Sequence, residues 1–123
     1  MPERKTVVCV TVQKTCERLI RQGAAFAGAK GLHVLHVAKD GETLLGGKDD
    51  GEALNYLYRI SREYGAEMDV LRAKDKDITE TVAAYARSNG AGCIVLGSGG
   101  ERRGDDFSTK LRARLPGVDV EIV

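Results

Sequence analysis

Residues 89–109 read NGAGCIVLGSGGERRGDDFST, and the order of signals in this stretch decides the fold class. Asn89-Gly90 closes an amphipathic segment with a glycine placed where a helix terminus takes a left-handed residue. Cys93 to Leu96 is then an unbroken apolar run, which is how a strand covered on both faces reads. A glycine-rich, charged connection follows, and Phe107, Leu111 and Leu115 resume helical spacing before Pro116-Gly117 stops it. Helix, glycine, buried strand, loop and helix in succession predict alternating β and α.

The same junction occurs at Lys30-Gly31-Leu32 and Tyr64-Gly65-Ala66. A first helix is predicted over 16–29 from Cys16, Leu19, Ile20, Gly23 and Phe26, with Thr15 as its cap and Glu17 in its first turn. Asp49 and Asp50 precede a second stripe of Leu54, Leu57, Ile60, Ser61 and Tyr64. Asp77 and Glu80 form a capping-box pattern before a third of Ile78, Val82, Tyr85 and Ala86. Val7 to Val12 and Cys93 to Leu96 are nearly unbroken apolar runs and belong in the middle of a sheet. The segments holding Met68 and Val70, and Val118, Val120 and Ile122, alternate with acidic residues and belong at its edges. With right-handed crossovers the simplest solution is a three-layer α/β/α domain spanning 1–123, its five parallel strands ordered 3-2-1-4-5 in the Rossmann-like manner.

At 123 residues, 42% hydrophobic and 30% charged, the chain has the size and composition of one globular domain. Lys plus Arg (19) nearly balance Asp plus Glu (18), so the positive field that nucleic-acid backbones require is missing and no nucleic-acid partner is expected. No stretch approaches the roughly 20 apolar residues of a membrane helix, and the N-terminus lacks a signal-type pattern; the expectation is a cytoplasmic protein with no membrane partner. Cys9, Cys16 and Cys93 are odd in number and widely spaced, which favours reduced thiols over a disulfide frame or a zinc site.

Ligands of doubly wound sheets bind beyond the carboxyl ends of the strands where the winding reverses, here after Val12 and after Leu96. The glycines after Leu96 let backbone N–H groups approach an anion, and the following helix start adds a favourable dipole; a surface loop using glycine for its turns is the alternative. Arg102 and Arg103 are candidate phosphate donors, and equally the charges of a solvated loop. Asp105 and Asp106 beside them suit a helix cap, or a magnesium ion. No GxGxxG follows the first strand, no GxxxxGK with Ser or Thr occurs, and no nucleophile, base and acid converge, so an enzyme assignment lacks a catalyst. His33 and His36 are three apart in one strand and face opposite ways, which predicts half-buried hydrogen-bonded residues rather than a metal pair. Cys16 near a helix start is read as part of the buried stripe, with a dipole-activated thiolate as the alternative. Residues 39–50, KDGETLLGGKDD, lie near the proposed ligand edge as a lid, a partner surface or a connection.

The helix CERLIRQGAAFA, the strand GLHVLHV, the GSGG loop and the ending LPGVDVEIV together resemble the universal stress protein family over essentially the whole chain. The opening VCVTVQKTCERLI and the ending also look like the stress-protein-type domain of bacterial potassium-sensing histidine kinases. The resemblance implies an adenine-nucleotide-binding module acting in stress response or signalling without evident catalysis. ATP, with magnesium, would be its ligand, held by Thr11, Val12, Val37, Gly97, Gly99, Gly100, Arg102, Arg103, Ser108 and Thr109. The family's ATP-binding branch carries Gly-x2-Gly-x9-Gly followed by Ser or Thr, with an Asp ending the first strand. Gly97 and Gly100 match; the spacer to Ser108 is two residues short, and Thr11 stands at the Asp position. A nucleotide-free homodimeric regulatory module of the same family is therefore the alternative. Either way the resemblance implies a homodimer formed through the exposed edge of the last strand, Val118 to Val123.

Overall fold

A computed structural model of the chain describes residues 5–28, 31–73, 78–97 and 103–123, with side chains from residue 107 onward in the last of these. The elements run β1 (Lys5–Cys9), α1 (Gln13–Ala27), β2 (Leu32–Lys39), a 3-10 turn (Leu44–Gly46), α2 (Asp50–Glu63), β3 (Glu67–Ala73), α3 (Ile78–Ser88), β4 (Ala91–Leu96), α4 (Arg103–Arg114) and β5 (Asp119–Ile122). The five strands are parallel and ordered β3-β2-β1-β4-β5, as the apolar and alternating runs predict. Central β1 pairs Val7 with His33 of β2 on one side and with Ile94 of β4 on the other.

Side-chain alternation sorts the core into two layers. Val8, Val34 and Val95 point to the face covered by α1 and α2, where they meet Leu19, Ile20, Leu57 and Ile60. Val7, Leu35 and Ile94 point to the other face, against Val82, Ala86, Leu111 and Leu115 from α3 and α4. Edge strand β3 alternates exposed Glu67 and Asp69 with half-buried Met68 and Val70, so the half-polar pattern does mark an edge. Gly23 explains the close seat of α1: a methyl group there would collide with Val8 Cγ2.

Several boundaries differ from the sequence reading, each for a local reason. β1 ends at Cys9 rather than Val12, although Val10 N–H still donates to Leu35 O at 2.9 Å. α1 begins at Gln13; its cap position is Val12, extended and without a side-chain acceptor, while Thr15 Oγ1 and Cys16 Sγ both donate back to Val12 O. Glu17 thus falls outside the first turn. The left-handed glycine of the first junction is Gly28 (φ 58°), which closes α1, not Gly31; Gly65 and Gly90 hold the other two junctions as expected. In α2 the buried stripe is Ala53, Leu57, Ile60 and Ser61, and Leu54 stands outside it at 38% exposure. The capping box expected at Asp77 lies outside the described residues.

Candidate functional site

The carboxyl ends of β1 and β2 open into a cleft of about 600 Å³, within the range of about 300–1,000 Å³ usual for small-molecule sites. Thr11 and Val12 line it from the tail of β1, His36 to Lys39 from β2, Gly41 to Thr43 and Gly46 from the following segment, and Ile78 from the start of α3. The cleft is half polar and half apolar by residue type. Val12 is exposed on its rim at 42%. The uncapped start of α1 adjoins that rim, with no acidic residue in its first turn. α2 contrasts with it: Asp49 accepts from Glu52 N–H at 3.1 Å, and Asp50 and Glu52 occupy the first turn.

The segment between β2 and α2 is a fixed wall of this cleft. Arg72 of β3 donates through Nη1 to Lys39 O at 3.0 Å and to Glu42 O at 2.6 Å, and through Nη2 to Asp50 Oδ2 at 3.3 Å. Lys39 N–H donates to Glu42 Oε1 at 3.0 Å, and Leu44 N–H to Asp50 Oδ1 at 2.9 Å. Leu44 and Leu45 are buried in the α1/α2 layer, which anchors an otherwise charged stretch. Leu45 adopts φ 55°, a left-handed conformation costing a non-glycine residue about 1–3 kcal/mol, so its surroundings must hold it there.

His36 does part of that holding. Its Nδ1 lies 2.8 Å from Val10 O, and its Nε2 accepts the Leu45 N–H at 3.0 Å. A carbonyl on one nitrogen and an amide donor on the other define one tautomer: neutral, with the proton on Nδ1. Burial pushes the ring below its ordinary value of 6.5; the Val10 hydrogen bond opposes that, Arg72 adds to it, and Glu42 opposes it. His33 is on the opposite face, as the odd spacing predicts, with Nδ1 3.0 Å from the Tyr85 hydroxyl, which itself donates to Asp69 Oδ2 at 2.7 Å. Its Nε2 is 3.3 Å from Glu67 Oε2, within ion-pair range but without hydrogen-bond geometry. Both histidines are buried at 4% exposure rather than half-buried.

Thr11, Val12 and Val37 are thus brought together in one cleft. Gly97 is not part of its described lining; a Cβ there would sit 3.2 Å from two Leu19 methyl carbons. Ser108 is buried and Thr109 exposed on α4, and Arg103 is the first residue of that helix. Gly99, Gly100 and Arg102 lie outside the described residues. His36 was not singled out for the site; residues 39–50 were placed near the ligand edge as a lid, a partner surface or a connection, and the adjacent apolar pair Leu44-Leu45 inside that charged loop is the anchor that makes it a wall. The thiols offer no reactive centre: burial pushes Cys9 and Cys16 up to about 12, and raises Cys93, whose value Glu121 and Asp119 raise further. Burial of Cys16 within the α1 stripe runs against the dipole-activated reading. Among the described residues no His, Cys, Asp or Glu cluster suited to a metal occurs, and no helix is long and apolar enough to cross a membrane.

No protein-family model matches the sequence, and no curated protein shows a significant match. Solved structures match it nearly end to end. A universal stress protein from Archaeoglobus fulgidus, solved in complex with dAMP, superimposes with a TM-score of 0.66 over 99% of this chain and 98% of its own, at 22% identity. Another universal stress protein, solved in complex with cAMP, gives a TM-score of 0.70 over 98% and 96%, at 15% identity. A universal stress protein family member from Burkholderia pseudomallei gives 0.61 over 97% and 94%, also at 15% identity. The chain therefore has the fold seen in universal stress proteins.

Proposed function

We propose that the chain is a universal-stress-protein-type module of the cytoplasm that binds an adenine nucleotide in the β1/β2 cleft and acts through occupancy rather than turnover. The observation that carries this reading is the cleft itself, of nucleoside size and at the strand ends, in a fold whose solved relatives include complexes with dAMP and cAMP. Thr11 and backbone groups of residues 38–43 suit hydrogen bonds to a base or sugar. Val12, Val37 and Ile78 suit apolar contact with its faces. The uncapped start of α1 puts a positive dipole end beside the rim of the cleft, which suits a phosphate. ATP with magnesium is the ligand to try first.

Isothermal titration with ATP and magnesium tests it. Measurable heat, abolished by Thr11→Trp, which fills the cleft from an exposed position, is the expected result. Absence of heat at millimolar ATP, AMP and cAMP would overturn it. The second reading, a nucleotide-free homodimer, draws on Thr11 at the strand-end Asp position and on the free edge of β5, where Ile122 is 38% exposed. It predicts a dimer mass by light scattering that a proline at Val120 reduces to a monomer, and no rise in melting temperature with ATP.

A further inference from the structure

His36 joins two segments that share no other described hydrogen bond: the tail of β1, through Val10 O, and the 3-10 turn, through Leu45 N–H. Both segments line the cleft, with Val12 two residues after Val10 and Gly46 directly after Leu45. Gly46 and Val12 also approach each other, since a Cβ on Gly46 would lie 3.7 Å from Val12 Cγ1. The ring therefore sets the distance between two walls. A second proton would put an N–H on Nε2, aimed at the Leu45 N–H 3.0 Å away, and two donors cannot share that line. Leu45 would lose the partner that helps keep it in its left-handed conformation.

We propose that neutral His36 is the positioning residue that clasps the Leu44–Gly46 turn to the tail of β1, and that its protonation releases the turn and opens the cleft. This rests on the functional reading only in taking the cleft as the binding site.

The charges acting on the ring come from Arg72 on β3, which disfavours the proton, and Glu42 in the wall, which favours it. Asp50 at the start of α2 and the Lys39 carbonyl neutralise part of Arg72 through direct hydrogen bonds. On the α1 side Cys16 is a neutral thiol in the working range. The sign follows from the lowered value of the buried ring. Above about pH 6.5 both the clasped and the released states carry neutral His36, and the clasp has its full strength. Below it the released state takes up the proton first, so the released population grows about tenfold per pH unit until the clasped ring itself protonates.

Amide hydrogen exchange reads this at the bond in question. The protection factor of the Leu45 amide, corrected for intrinsic exchange, is expected to fall about tenfold per pH unit below about 6.5 and to stay below that of the Val34 amide in β2. His36→Gln keeps a donor and an acceptor but does not titrate, and its Leu45 protection is expected to be flat with pH. Protection at Leu45 that is constant from pH 7.5 to 5 in the wild type, or that falls equally in H36Q, would overturn the clasp. Should H36Q not fold, nitrogen-15 shifts of the wild-type ring decide the matter: Nδ1–H at pH 7 supports the clasp, and Nε2–H refutes it. AMP affinity measured across the same range is expected to fall more steeply with acid in the wild type than in H36Q, a difference that cancels the titration of the AMP phosphate. Failure of AMP to bind at any pH would count against the functional reading and leave the clasp to the Leu45 result.

Discussion

The two histidines of β2 stand three residues apart, equally buried, on opposite faces of one sheet. On the α3/α4 face His33 meets the Tyr85 hydroxyl of α3, and Asp69 and Glu67 of β3 complete the group. On the α1/α2 face the described hydrogen bonds of His36 go to backbone groups of Val10, just past β1, and of Leu45, in the 3-10 turn. A buried polar group attached to a helix and a strand stabilises their packing, because unfolding either leaves it unpaired. The same group attached to two connections governs their separation and leaves the core largely indifferent. Position along the strand separates them: His33 lies near the start of β2, whereas His36, in mid-strand, borders the cleft.

Core substitutions give the largest expected effect and establish whether the faces differ at all. Leu57→Ala and Leu111→Ala each empty a fully buried site on one face, and each is expected to lower unfolding free energy by about 2–5 kcal/mol, read from urea midpoints. A large disparity between them would place the difference between faces in apolar packing instead of the histidines. Next comes Tyr85→Phe, which removes the donor to Asp69 and leaves His33 Nδ1 unpaired, for a loss of about 1–3 kcal/mol. Because Tyr85 ties regular elements, hydrogen-exchange protection should fall throughout the sheet; in H36Q at pH 7.5 the fall should be confined to residues 44–46. An equal and global loss in both would break the comparison. Asp49→Ala, which uncaps α2 below the cleft wall, is expected to cost about 1 kcal/mol and to leave the His33 group untouched. The smallest signal concerns Cys16, whose thiol, pushed up to about 12, should resist iodoacetamide at pH 8 in the native state and react once urea unfolds the chain. Rapid native labelling would show the α1/α2 layer to be looser than described.

The sheet order was legible because the apolar runs Val7 to Val10 at β1 and Cys93 to Leu96 in β4 are unbroken while β3 and β5 alternate, and coverage on two faces or one leaves that mark directly on the residues. Glycine junctions located the helix ends to within a few residues, failing at Gly31 because Gly28 had already turned the chain. The start of α1 was misread since nothing caps it: Val12 supplies only its backbone, and a search for a polar cap settles on Thr15, whose hydroxyl in fact donates backwards. For the site, the family resemblance pointed to Thr11, Val12 and Val37, which line the cleft; topology pointed to the reversal between β1 and β4, whereas the cleft opens at the ends of β1 and β2. His36 was not singled out, because a hydrogen bond from Leu45, nine residues later, depends on a left-handed leucine that no local pattern announces. Arg72 escaped for a related reason; its partners Lys39, Glu42 and Asp50 become neighbours only after β2 and β3 pair.

The central claim is that the space between the ends of β1 and β2 receives an adenine nucleotide, and amide shift mapping during titration with AMP addresses it most directly. Shifts that saturate and concentrate at Val12, Val37, Lys39, Gly46 and Ile78, and that vanish in Thr11→Trp, are the predicted result. Saturating shifts centred elsewhere on the molecule, or a spectrum unmoved at millimolar AMP, would contradict the account.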